Sequence, residues 1–133
     1  MIHTLVAFVA ALIAFCACDF GWLGFLAKDF YQAQIGPLLL EQPNLKAAAI
    51  FYPLYTAGIV IFCIEPALAQ GTWVRALTLG MLLGLLGYGT YDLSNLATLK
   101  GWSVSLVVVD IGWGMVVSGI TATAGYLAAR TLP

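Results

Sequence analysis

Charge is what this chain has least of. Only 8% of its residues are Asp, Glu, Lys or Arg, and five basic against six acidic side chains leave a formal net charge of -1. A nucleic-acid binder needs a basic face and a protein clinging to an anionic surface needs a Lys/Arg cluster, so both classes are excluded. Histidine occurs once, at His3, and cysteine three times, at Cys16, Cys18 and Cys63. These give no zinc spacing and no Cys-His couple, and both HExxH and Gly-x-Ser-x-Gly are missing. No metal site, catalytic residue or cofactor is assigned. A general acid or base among the aspartates is all an enzyme would have to work with, and the three cysteines read as apolar fillers.

What the chain has instead is hydrocarbon. Hydrophobic residues make up 62% and mean hydropathy is +1.00, which makes the lipid bilayer its solvent. At roughly 20 residues per crossing, 133 residues hold four helices and short loops. The reading is an all-α polytopic membrane protein, a four-transmembrane-helix up-down bundle. Its helices cover about residues 4–27, 47–64, 74–97 and 103–128 of a single integral membrane domain, 1–133. Met1-Ile2-His3 carries no basic side chain of the signal-peptide kind, so the first span is expected to stay as an anchor.

The longest polar connection runs from Lys28 to Lys46, with turns at Gly36-Pro37 and Pro43-Asn44 and with Phe30 and Tyr31 suited to an aromatic belt. Pro53, early in the second span, frees the carbonyl of Ala49. Glu65-Pro66 is expected to end that helix, and Gln70-Gly71-Thr72 to turn the chain back. Gly80, Gly84 and Gly87 form a small-residue seam on the third span, and Gly114 and Ser118 another on the fourth. Such seams admit a close neighbour, so they are candidate surfaces for a homodimer or for a partner in a larger membrane complex. Orientation stays open: Lys28, Lys46 and Lys100 balance Arg75, Arg130 and the amino terminus.

Against this background the polar residues stand out. Asp19 lies past the middle of the first span, about 6 Å from the midplane at 1.5 Å per residue. A carboxylate at such depth costs about 3 kcal/mol on insertion scales, so it needs a partner or water. Up-down threading puts Asp19 and Asp110 in the leaflet that also receives Tyr52, Tyr55, Tyr88, Tyr91, Asp92 and Asn95. The other leaflet reads as Val, Ile, Leu, Gly and Ala. Two acids recur in one setting, Asp19-Phe20-Gly21-Trp22 and Asp110-Ile111-Gly112-Trp113, each with a Trp over the same helix face. The expectation is a polar pocket built from Asp19, Trp22, Tyr52, Tyr55, Tyr88, Tyr91, Asp92, Asn95, Asp110 and Trp113, open towards the first and third loops.

The stretch Tyr88-Gly89-Thr90-Tyr91-Asp92-Leu93-Ser94-Asn95-Leu96-Ala97-Thr98-Leu99-Lys100-Gly101-Trp102 is the most distinctive in the chain. With Asp110 to Gly114, Gly58 to Phe62 and Lys28-Asp29-Phe30-Tyr31, it resembles a family of small bacterial inner-membrane proteins catalogued as domain of unknown function 2177. The resemblance covers nearly the whole chain. It implies a four-helix protein of the bacterial inner membrane and supplies no activity or cofactor.

Three classes of function suit the pocket. In the first, a proton- or cation-linked transporter, the aspartates bind the ion and the tyrosines and Asn95 help ligate it. In the second, a lipid, quinone or pigment is bound, or less readily modified, between the aromatic rings and the acids. In the third, an accessory subunit of a membrane complex, the polar groups only lock the bundle. Interhelical hydrogen bonds average about 0.6 kcal/mol, so three buried acids are a costly lock.

Overall fold

The computed structural model describes residues 1–133 and is helical apart from its connections. Helix α1 spans Ile2–Leu26, and α2 is the short helix Lys28–Ile35. Then come α3, Leu45–Gln70, α4, Trp73–Thr98, and α5, Val104–Arg130. Asn44 caps α3 by accepting from the backbone N–H of Lys46 at 3.1 Å and of Ala47 at 3.2 Å. Ser103 caps α5 through the N–H of Leu106 at 3.0 Å. Gly71, at φ 70°, ends α3 in the left-handed conformation that a side chain would strain.

Three helices, α1, α3 and α5, are long and apolar enough to cross a membrane. The expected set was four. The remaining long helix, α4, has 26 residues, but the polar motif from Tyr88 onward lies in its second half and lowers its hydropathy. Its exposed serine and threonine hydroxyls are nonetheless satisfied within the helix. Thr90 donates to the carbonyl of Leu86 at 2.6 Å, Thr98 to that of Ser94 at 2.8 Å, and Ser94 to that of Thr90.

Glu65-Pro66 does not end α3. A π-helical turn at Val60–Ile64 precedes it and the helix runs on to Gln70. The widened turn takes up the proline ring, which would clash with the preceding turn of a regular helix. A second π turn, Trp22–Leu26, closes α1. It breaks the helical period, and Leu23 and Leu26 within it are exposed. The cysteines also divide: Cys63 is buried as a filler, whereas Cys16 is exposed.

Helix α5 is the hub, packed against α4 on one side and α1 on the other. Its seam and that of α4 face each other within the chain. A Cβ on Gly84 would sit 2.2 Å from the carbonyl oxygen of Gly114, and one on Gly80 2.6 Å from that of Ser118. The two candidate dimer surfaces are therefore consumed inside the bundle, since close backbone approach is the dispersion gain that pairs helices in lipid. Gly125 of α5 meets Ala7 and Ala11 of α1 in the same way. The second half of α3, from its π turn onward, packs against α1, α4 and α5. Its first half leans mainly on α1, leaving a cleft beside the second half of α4.

Candidate functional site

Asp19, Asp92 and Asp110 come from α1, α4 and α5, and all three are buried. Asp19 accepts two side-chain bonds, from the Tyr52 hydroxyl of α3 and from the indole N–H of Trp113 of α5 at 2.9 Å. Asp110 accepts the hydroxyl of Tyr31, which itself accepts the indole N–H of Trp22 at 3.2 Å. The two indoles lie face to face, 4.5 Å between centroids and 6° between planes.

The repeated Asp-x-Gly-Trp motif is thereby explained. Each acid receives one tyrosine hydroxyl. Each tryptophan serves the acid of the other motif, Trp113 directly and Trp22 through Tyr31. The helices α1 and α5 are cross-linked by this exchange, and the indole stack adds about 0.5–1.5 kcal/mol beyond its buried area.

Tyr31 is the participant that reading the sequence missed. It was placed in an interfacial belt, yet α2 folds back so that Tyr31 is buried against Ala27, Leu106 and the two tryptophan-bearing helices. Burial, ahead of its bond to Asp110, pushes its hydroxyl well above the usual tyrosine range. Gln34 of α2 accepts the hydroxyl of Ser103, holding α2 against the start of α5. The only sequence signal for Tyr31 was its place in the family-like stretch Lys28 to Tyr31.

Asp92 is different. It is 0% exposed and lies beside the Asp110 carboxyl and the Trp102 indole, yet neither of its oxygens completes a hydrogen bond. None of the five basic residues enters this region, because Lys28, Lys46, Arg75, Lys100 and Arg130 are all exposed.

The cleft beside α4 holds a cavity of about 410 Å³ lined by Phe51, Tyr55, Gly87, Tyr88, Tyr91 and Asp110. Phe51 and Tyr55 stack at 5.6 Å, Tyr55 meets Tyr88 edge-on at 6.3 Å, and Tyr55 is fixed by Ser118 at 2.9 Å. A Cβ on Gly87 would touch the Tyr55 ring at 3.4 Å, so glycine there keeps the space open. Asp19, Tyr52, Trp22 and Trp113 form the closed network behind it, while Tyr55, Tyr88, Tyr91 and Asp110 face the cavity. Asn95 joins neither: it is half-buried and its side chain makes no hydrogen bond within 3.5 Å. Tyr91 is 54% exposed and packs edge-on against Trp102.

Away from this region the packing is less purely aliphatic than expected. Tyr126, near the far end of α5, is fully buried and its hydroxyl has no partner; the same holds for the hydroxyls of Thr56 and Thr121.

An all-helical chain with three apolar helices of spanning length and acids buried between helices defines a multi-pass membrane protein. It belongs to the DUF2177 family, described as predicted membrane protein, which matches residues 4–127. No curated protein and no solved structure matches the chain.

Proposed function

We propose that this is a four-span protein of the bacterial inner membrane whose cleft between α3 and α4 binds a small amphipathic molecule, the polar end at Asp110 and the apolar part along Phe51, Tyr55, Tyr88 and Tyr91. The cavity carries the reading. Its volume falls within the range of about 300–1,000 Å³ usual for small-molecule sites, and its walls are aromatic with a single carboxyl, the composition such sites favour. The back-bonded hydroxyls of α4 support the fourth span, since they place no unsatisfied donor against lipid.

Mass spectrometry of the gently extracted protein tests it. A co-purifying molecule is expected with the native chain and lost from Gly87→Leu, whose side chain fills the cavity from the rim of α4. If the variant keeps the molecule, the cleft is not its site.

Asp92 favours a second reading, proton- or cation-linked transport. A fully buried carboxyl with no partner is poised to exchange a cation, because little in the protein competes for it. In liposomes such a transporter shows pH-dependent flux that Asp92→Asn abolishes while the protein stays folded. Flux unchanged by that substitution ends this reading.

A further inference from the structure

We propose that the molecule seated in the cleft carries an ammonium group, with the cation against Asp110 and the rings of Phe51, Tyr55, Tyr88 and Tyr91 around it. This rests on the binding reading above and names its ligand class.

The first argument is charge balance. Asp92 and Asp110 lie side by side, more than nine-tenths buried, and the one hydrogen bond either carboxyl accepts from a side chain is that of the Tyr31 hydroxyl on Asp110. No lysine or arginine reaches them. A buried carboxylate without a counter-charge is expensive, and this chain places two together. A proton held between the two carboxyls removes one of the two charges, and the other is left for a cation that the cavity lined by Asp110 can admit.

The second argument is the chemistry of the walls. A hard metal cation needs about six or more oxygen ligands at short range, and no group of three His, Cys, Asp or Glu in the chain is arranged to hold a metal. Four of the six residues lining the cavity are aromatic. Ring faces attract a cation that is large and weakly hydrated, and a carboxylate at the base of an aromatic box is the arrangement that selects alkylated ammonium over both metal ions and neutral molecules. The box is also braced for the purpose. Tyr55 is held by Ser118 and Phe51 stacks on Tyr55, so little side-chain freedom is lost on binding.

The test compares choline with its uncharged tert-butyl analogue, which has the same shape, on the full chain in neutral detergent. Binding is read by native mass spectrometry and by the thermal midpoint. Choline is expected to bind at least about tenfold more tightly than the analogue, a preference of the size cation–π contacts and a partly desolvated charge supply. Asp110→Asn, which keeps an oxygen for Tyr31 to bond, removes the preference. Tyr91→Leu, at a half-exposed position outside the core, reduces it without unfolding the protein. Equal binding of the analogue overturns the ammonium assignment and leaves the cleft as a binding site. If neither probe binds but Gly87→Leu still loses a co-purifying molecule, the ammonium assignment alone falls. If Gly87→Leu loses nothing either, both readings fail. Repeating the choline titration in phosphatidylcholine and phosphatidylglycerol discs separates the sources. Competition confined to phosphatidylcholine assigns the cation to a lipid headgroup, and unchanged binding assigns it to a free amine; both results keep the proposal.

Discussion

Tyr31 shows how much one side chain can hold. Its hydroxyl donates to Asp110 and accepts from Trp22, so α1, α2 and α5 meet at a single oxygen. Because burial and Asp110 raise its pKa in the folded state, the neutral phenol contributes stability that is fully present below the unfolded value of about 10 and is lost as pH rises above it. Tyr31→Phe is therefore expected to lower the thermal midpoint at neutral pH and to flatten its decline in alkali, both read from unfolding curves in detergent. An alkaline decline as steep as that of the native protein contradicts the assignment. The acids themselves were legible in the sequence, since a carboxylate in an apolar run demands a partner. Their partners were less so. Tyr52 and Trp113 lie on long helices that threading carries to the same end as Asp19, which both of them bond, whereas Tyr31 lies in a polar connection whose return to the bundle no local pattern reveals.

Helix α5 pairs with α4 along a seam in which backbone, not side chain, sets the spacing. The glycine spacing disclosed that some neighbour approaches closely. It could not say whether that neighbour lies in the same chain, because an intramolecular and an intermolecular seam have the same sequence. Gly84→Ala would put a methyl group 2.2 Å from the Gly114 carbonyl oxygen, and overpacking of this kind costs about 1–3 kcal/mol. A lowered thermal midpoint is expected, with the choline-to-analogue ratio moving as α4 shifts beside the cleft. An unaltered midpoint would mean that the helices are not so closely paired. The π turns are the opposite case, as nothing in Trp22–Leu26 or Val60–Ile64 marks the widened geometry in advance. Only Pro66 gave notice of a break, and it was resolved by a wide turn rather than a stop.

The whole molecule turns on whether α4 crosses the bilayer beside α1, α3 and α5. Membrane residence followed from composition alone, but the number of crossings depends on a helix whose hydropathy is lowered by the residues that build the candidate site. Single cysteines at Thr72 and Lys100, in a chain with Cys16, Cys18 and Cys63 replaced by alanine, decide it. Four crossings require an impermeant thiol reagent to reach the two positions from opposite sides of a sealed vesicle. Labelling of both from one side would leave α4 lying on or in a single leaflet.

The exchange of hydrogen bonds between the first and last long helices also bears on how the protein is made. Asp19 is translated early and Trp113 late, so a growing chain carries an acid in its opening helix whose second donor has not yet been synthesised. Until α5 inserts, the opening helix holds a partly unanswered charge. A stalled or truncated product that lacks α5 keeps that defect permanently, with Tyr52 as the one side-chain donor left to Asp19.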